Sequence, residues 1–193
     1  MTRAEDAVLA ASMGVSAIGL VFVPGSSRCV EPAVAAEICR ALPPLVASVG
    51  LFMDTPEEQV RAVLARVPLN WLQFHGAESP DYCRSFGRPW IKALPMASPG
   101  DVQYHGWSDA PALLLDAHAA GGMGGSGETF DWETAVLPAN PWILAGGLKP
   151  GNIGRALELL APPAVDVSSG IESAPGIKDA ALMRQFMENI DNG

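Results

Sequence analysis

Seven apolar runs that alternate with helix-like segments constrain the fold of this 193-residue chain most strongly. The runs are continuous and rich in branched and aromatic residues, as expected of parallel strands that are buried on both faces. Proline-led helix starts, such as Glu31-Pro32 and Ser79-Pro80, lie between them. The alternation therefore predicts an α/β domain with a parallel sheet. The predicted strands are Ala17–Val23, Leu45–Phe52, Trp71–Phe74, Trp90–Leu94, Ala112–Asp116, Trp142–Ala145 and Ala164–Val167.

The number of elements favours a (β/α)8 TIM barrel from which the first strand is missing. We predict seven strands and eight helices in a single domain over residues 1–193, with Arg3–Met13 as the first helix and further helices beginning near Ser98-Pro99 and Asp131. A strand should precede Arg3–Met13, because a barrel of this kind closes with eight strands. An open doubly wound sheet is the alternative, but no G-x-G-x-x-G turn follows Ala17–Val23. The gap would leave unpaired strand edges, so we expect an open barrel, lower stability or a homodimer that covers the edges.

Two of the predicted strands end in turns that are rich in glycine and serine. These turns lie within Trp142–Asn152 and Ala164–Ile171. A glycine directly after a buried strand lets backbone N–H groups approach a ligand closely, because no Cβ is in the way. Two adjacent turns of this kind surround a phosphate with donors, and (β/α)8 barrels bind phosphate at the loops after strands 7 and 8. The pattern predicts a phosphorylated small-molecule substrate.

Side chains at the carboxyl ends of the predicted strands are the candidates for chemistry, because active sites of barrels lie at that edge. Asp116 ends one strand and is followed by the glycine-rich loop Gly121–Gly127, so it is the best acid–base candidate. His75 either takes part in the site or is bonded to neighbouring backbone. Lys92 either forms a buried ion pair or contacts the substrate. The full set is Arg28, Asp54, Gln73, His75, Lys92, Asp116 and Asp166.

Charge and cysteine content narrow the partners and the compartment. The net charge of −9 disfavours nucleic acid and anionic membrane surfaces as main partners. No apolar run approaches the ~18–20 residues of a membrane-spanning helix. The three cysteines, Cys29, Cys39 and Cys83, form no C-x-x-C pair, which indicates a reducing compartment and no structural zinc. We therefore expect a cytoplasmic protein that binds neither membranes nor nucleic acid.

Four segments of the chain resemble phosphoribosylanthranilate isomerase, an enzyme family of tryptophan biosynthesis. The resemblance runs in order over essentially the whole chain, and its motifs are specific jointly although each one alone is weak. The segments are Gly19-Leu-Val-Phe-Val-Pro-Gly-Ser-Ser-Arg28, Leu72-Gln-Phe-His-Gly76, Leu114-Leu-Asp-Ala117 with Gly122–Trp132, and the pair Leu144-Ala-Gly-Gly-Leu148 and Asp166-Val-Ser-Ser-Gly170. The fold of that family is the (β/α)8 barrel, in agreement with the alternation of elements.

The resemblance implies an Amadori rearrangement of N-(5-phosphoribosyl)anthranilate to 1-(2-carboxyphenylamino)-1-deoxyribulose 5-phosphate, without metal or cofactor. It implies Asp116 as the general acid that protonates the ring oxygen. Arg28 would pair with the anthranilate carboxylate, for which a guanidinium fork is well shaped. Asp166 would face the ribose hydroxyls or the anthranilate amine. The remaining implied contacts are Gln73 and His75 with the substrate and Gly146, Gly147, Ser169 and Gly170 with the phosphate.

The general base is the point at which the sequence departs from the family pattern. That pattern places a cysteine in a Lys-Ile-Cys-Gly-(apolar)-Thr strand, and the chain begins at its last part, Met1-Thr2-Arg3. We therefore expect impaired activity, since a lost base typically costs ~10²–10⁴-fold in rate. Cys29, next to Arg28, is the alternative base. Two other functions stay open: a non-catalytic barrel that binds a phosphorylated ligand or a partner, and another phosphosugar enzyme such as an epimerase or a Lys92-dependent aldolase.

Overall fold

Six parallel strands form one sheet in the computed structural model, which describes residues 1–96, 104–117 and 129–191. The strands pair strictly in chain order. Doubly wound sheets reverse their strand order at a switch point, whereas barrel strands follow one another, so the topology confirms the predicted barrel arrangement. The strands are β1 Ala17–Val21, β2 Ala47–Phe52, β3 Trp71–Phe74, β4 Trp90–Pro95, β5 Ala112–Asp116 and β6 Trp142–Leu144.

Six α-helices connect and cover the strands in the described residues. Helix α1 packs against α2 and α6, and α5 packs against α6. Pro32, Pro80 and Pro150 occupy the first turns of their helices, where a missing N–H costs nothing. The helices are α1 Ala4–Ser12, α2 Pro32–Ala41, α3 Glu57–Leu64, α4 Pro80–Arg84, α5 Pro150–Leu160 and α6 Ala180–Asp191.

Burial on both faces explains why the strand sequences are continuous apolar runs. In β5, Leu113 and Leu115 belong to the large core between the sheet and the helices. Ala112 and Leu114, on the opposite face of the same strand, belong to a second apolar cluster that fills the interior. Successive side chains of a strand point to opposite faces, so the interior position after Leu114 is Asp116. The apolar pattern thus directs the Asp116 carboxyl into the mouth of the barrel.

The last predicted strand, Ala164–Val167, is much shorter than expected. Only Val165 forms a β-bridge, with Leu144 of β6. The chain then makes a short 3-10 helix, η2 Ser169–Ile171, and a hairpin of β7 Glu172–Ala174 and β8 Ile177–Lys178 that the sequence pattern did not predict. A strand of two or three residues is too short to show a period in the sequence.

The prediction of eight helices is also partly wrong. No α-helix occurs between β5 and β6 in the described part of the chain. Instead of beginning a helix, Asp131 accepts hydrogen bonds from Glu133 N and Thr134 Oγ1, at 3.0 and 2.8 Å, and closes a local turn. The start expected at Ser98-Pro99 lies outside the described residues, which resume with the 3-10 helix η1 Tyr104–Trp107. Over the ranges described, no helix has both the length and the apolar character to cross a membrane.

Candidate functional site

A cavity of approximately 790 Å³, counted to its open mouth, lies at the carboxyl ends of the strands. Parallel strands bring all their carboxyl ends to one edge of the sheet, so residues far apart in sequence meet there. The cavity collects eight of the nine residues predicted to bind or react with a ligand; the ninth, Gly170, does not line it. The eight are Arg28, Gln73, His75, Asp116, Gly146, Gly147, Asp166 and Ser169.

Asp116 and His75 form the polar centre of the cavity. Asp116 ends β5 and is only 8% exposed. His75 Nε2 lies 3.4 Å from Asp116 Oδ2, and Gln73 Nε2 lies 3.4 Å from His75 Nδ1. An amide nitrogen only donates, so in this arrangement Nδ1 accepts and the proton of a neutral imidazole is on Nε2, towards the carboxylate. The two ring contacts therefore orient His75 between Asp116 and Gln73.

Asp166 is the second carboxyl of the cavity. Burial raises the pKa of Asp166 and the nearby Asp116 raises it further, whereas Lys178 opposes the shift. Protein atoms surround this carboxyl, yet the cavity keeps it accessible to solvent and thus to a ligand. Two carboxyls that share one cavity do not ionise independently, because the charge of one disfavours the charge of the other.

Arg28 enters the cavity already paired with an acidic residue. Its Nε and Nη2 donate to the two carboxylate oxygens of Glu172 at 2.9 and 2.7 Å. Lys178 Nζ donates to the same carboxylate at 2.9 Å and to the Ser168 carbonyl oxygen at 2.8 Å. Burial acts to raise the pKa of Glu172, but the hydrogen bonds and charges of Arg28 and Lys178 outweigh it and leave the pKa lowered.

The sequence analysis missed Glu172 and Lys178. Both side chains are 5% exposed, although they belong to the hairpin β7–β8 and not to a predicted strand. Burial lowers the pKa of Lys178 from its ordinary value, although Glu172 opposes the shift. The available signal was that Glu172 follows the serine–glycine turn directly, at Ser169-Gly170-Ile171-Glu172.

The two predicted turns lie against each other, as the phosphate interpretation requires. A methyl group at Gly170 would lie 1.9 Å from the Leu148 carbonyl oxygen, so only glycine permits this approach of the two backbones. Gly146 has φ +82°, in the left-handed region, and a Cβ there would lie 2.3 Å from Ala117 N. The hydrogen bonds found among the described residues do not use Gly147 N, which borders the cavity. Gly147 N is therefore a backbone donor that a ligand in the cavity can use.

Lys92 does not contact the cavity. Ile91 and Ala93 face the barrel interior, so Lys92 between them points the other way. Its Nζ lies 2.9 Å from Glu78 Oε2, and both side chains are at most 4% exposed. Of the two interpretations offered for Lys92, the buried ion pair is correct, and a role as an aldolase lysine loses its support.

The Lys92–Glu78 pair supports the turn that carries His75. Glu78 accepts hydrogen bonds from Asp54 N at 2.8 Å and Gly76 N at 2.9 Å. Asp54 in turn accepts from Ala77 N at 2.6 Å. Asp54, a candidate for chemistry by its place after β2, thus holds a loop and does not line the cavity.

The remaining candidates for chemistry are the cysteines and groups of residues that could bind a metal ion. Cys29, the alternative base, is exposed and absent from the cavity lining; burial and Glu31 raise its pKa, which disfavours the thiolate. Burial raises the pKa of Cys83 to about 12. Over the described ranges, no three His, Cys, Asp or Glu residues form a group that could hold a metal ion. The loop Gly121–Gly127 lies outside the described residues.

Comparisons with known proteins agree on one family. A family model described as N-(5'phosphoribosyl)anthranilate (PRA) isomerase matches residues 1–189. The N-(5'-phosphoribosyl)anthranilate isomerase of Nitrosococcus oceani is 47% identical over 197 residues, which cover 100% of this chain and 95% of that protein. Both matches extend over almost the whole chain, whereas a single common motif would match only a short segment.

Solved structures of the same family superpose on the whole chain. The phosphoribosyl anthranilate isomerase from Thermotoga maritima has a TM-score of 0.90 at 35% identity, with 100% of this chain and 96% of that chain covered. A phosphoribosyl anthranilate isomerase in complex with reduced 1-(o-carboxyphenylamino)-1-deoxyribulose 5-phosphate has a TM-score of 0.79 at 32% identity and the same coverage.

Proposed function

Because the chain belongs to the N-(5'-phosphoribosyl)anthranilate isomerase family, we propose that it converts N-(5-phosphoribosyl)anthranilate to 1-(2-carboxyphenylamino)-1-deoxyribulose 5-phosphate in tryptophan biosynthesis. The observation that carries the proposal is that one cavity brings Asp116 together with Arg28 and with the turns at Gly146-Gly147 and Ser169. The substrate has an anionic group at each end and a ring oxygen between them. The cavity therefore offers a matching group for each of the three.

Two separate groups of the cavity lining bind the two anionic groups of the substrate. The turns at Gly146-Gly147 and Ser169 direct backbone donors towards the phosphate, which such turns hold without a side-chain charge. Arg28 pairs with the anthranilate carboxylate through two parallel hydrogen bonds. When both anionic groups are bound, the ribose ring is held beside Asp116. This fixed orientation raises the rate of the reaction.

Asp116 supplies the proton that opens the ring. Protonation of the furanose oxygen lets the C1–O bond break, and the amine nitrogen donates its lone pair to form a Schiff base. Removal of the C2 proton then gives an enolamine, which tautomerises to the ketone. His75 stabilises the carboxylate that Asp116 becomes after proton transfer, because its Nε2–H points to that oxygen. Gln73 keeps the ring in that orientation.

Asp166 and the general base complete the proposed site. Asp166 lines the cavity, and we assign it the contact with the ribose hydroxyls or the anthranilate amine. The family pattern assigns the base to a cysteine, and no cysteine lines the cavity formed by the described residues. No residue of the described cavity is assigned that step.

A paired measurement of turnover and binding tests this function. The protein is expected to form the ketone product from N-(5-phosphoribosyl)anthranilate, and chromatography measures this product. Calorimetry with reduced 1-(o-carboxyphenylamino)-1-deoxyribulose 5-phosphate measures binding separately. Binding without any turnover would instead support the alternative of a non-catalytic barrel, and the absence of both would refute the proposal.

We also propose that the protein is a cytoplasmic homodimer. Strand β1 is the edge of the six-stranded sheet, and Leu45, at the turn before β2, is fully exposed with φ +73°. In a homodimer, a partner would bury this side chain and cover the sheet edge. Light scattering of the wild type and Leu45→Asp tests this: a dimer that the substitution dissociates is expected, and a monomeric wild type refutes it.

A further inference from the structure

Glu172 occupies only one edge of the Arg28 guanidinium. A guanidinium carries five N–H groups, arranged so that two neighbouring edges can each hold a carboxylate. Glu172 takes the edge formed by Nε and Nη2. The other edge is formed by Nη1 and the second hydrogen of Nη2; the guanidinium contacts found among the described residues are all with Glu172, and Arg28 lines the cavity. Glu172 thus fixes the plane of the guanidinium and leaves a complete fork for a ligand carboxylate.

Lys178 connects the same carboxylate to the start of the serine turn. Ser168, whose carbonyl oxygen accepts from Lys178 Nζ, immediately precedes the turn at Ser169, and Glu172 follows that turn. One ammonium group therefore bonds both the residue that orients Arg28 and the start of the serine turn. The three charged groups form one nearly buried cluster, so a movement of Arg28 would break its two charge-assisted hydrogen bonds to Glu172 and leave this carboxylate with Lys178 alone.

We propose that Glu172 and Lys178 are positioning residues, which hold the carboxylate-binding fork of Arg28 at a fixed distance and angle from the phosphate-binding turn. This role rests on the proposed function, because it assumes a ligand with a carboxylate at one end and a phosphate at the other. Such a device selects ligands by the separation of their two anionic groups and not by either group alone.

The test compares two ligands that differ only in the carboxylate. One is reduced 1-(o-carboxyphenylamino)-1-deoxyribulose 5-phosphate, and the other is the same compound with a phenyl ring that lacks the carboxylate. Calorimetry gives the ratio of their affinities. Glu172→Gln is expected to reduce the preference for the carboxylated ligand by roughly 10- to 100-fold, the loss for a hydrogen bond between charged groups. Lys178→Met is expected to weaken both ligands by a similar factor, because both carry the phosphate.

Two further variants keep the test independent of stability. Glu172→Gln leaves two cations without a counter-ion. The ratio of affinities is therefore also measured in the double variant Glu172→Gln with Lys178→Met, which removes one charge of each sign. Glu133→Gln is the matched control, since Glu133 forms a 2.7 Å pair with Arg155 that is exposed on both sides. It should leave the ratio unchanged, and a reduced ratio in this control would attribute the effect to net charge and overturn the role of Glu172.

The outcomes separate the two proposals. If the wild type binds both ligands equally, Arg28 does not recognise the carboxylate, and both the proposed site and this inference fail. If the wild type prefers the carboxylated ligand and Glu172→Gln keeps that preference, only the positioning role fails. A merely structural role for the cluster would lower the unfolding midpoint without changing the ratio.

Discussion

Gly170→Ala should disrupt the contact on which the phosphate site depends. The added methyl group would lie 1.9 Å from Leu148 O and 2.9 Å from Lys149 Cα, both of which are backbone atoms. A relaxed carbon–oxygen contact is about 3.3 Å, so the two turns must separate by roughly 1.4 Å. Overpacking of this kind typically costs ~1–3 kcal/mol of stability. A displacement of about 1 Å at a binding site can also lower the rate ~10²-fold.

Urea unfolding and calorimetry measure the two effects of Gly170→Ala separately. We expect the variant to stay folded, to lose ~1–3 kcal/mol and to bind a phosphorylated ligand at least ~10-fold more weakly. Gly154→Ala is the control, because Gly154 lies inside α5 with no atom within 4 Å of the added group. Alanine there should stabilise the protein by ~0.5–1 kcal/mol. Unchanged stability and affinity in Gly170→Ala would refute the argument that close contact of the turns builds the site.

Three other outcomes are expected from the charges and thiols. Lys92→Met leaves the carboxylate of Glu78 buried and should cost ~3–5 kcal/mol in urea unfolding; a loss below ~1 kcal/mol would contradict the ion-pair account. The pKa of the Glu172 carboxyl is lowered from 4.5, so this group stabilises the folded protein fully above that pH and loses its effect as the pH falls through the folded pKa. The difference in unfolding free energy between wild type and Glu172→Gln should therefore shrink on acidification. A difference that widens would contradict this. In mass spectrometry at pH 8, iodoacetamide should modify exposed Cys29 well before buried Cys83, whose pKa is about 12, and equal rates would contradict the burial.

The elements that the sequence predicts well are the strands that are buried on both faces, because such burial requires a continuous apolar run in the local sequence. The runs at Trp71–Phe74 and Ala112–Asp116 match β3 and β5 at both ends, because a strand buried on two faces must be apolar throughout. The edge at which the cavity lies followed from the same pattern, because parallel strands bring their carboxyl ends to one side of the sheet. Asp116 was predicted as a site residue because it ends such a strand and precedes the glycine-rich loop.

The rest of the fold depended on contacts between residues distant in sequence. Whether Ala164–Val167 forms a full strand depends on what pairs with it, and in the structure only Val165 does so, with β6. Asp131 has the residue type of a helix cap, but its carboxylate closes a turn with Thr134 instead. The pairing of Arg28 with Glu172 joins residues 144 positions apart, and no local pattern predicts such a contact.

The most direct test of the account is the rate of isomerisation by the wild type and by Asp116→Asn. Both proteins should bind the reduced product analogue with similar affinity, because the asparagine keeps the shape of the cavity. With the general acid removed, turnover of N-(5-phosphoribosyl)anthranilate should fall by ~10²–10⁴. Turnover within a few-fold of wild type in Asp116→Asn would contradict the assignment of Asp116 and with it the proposed chemistry of the cavity.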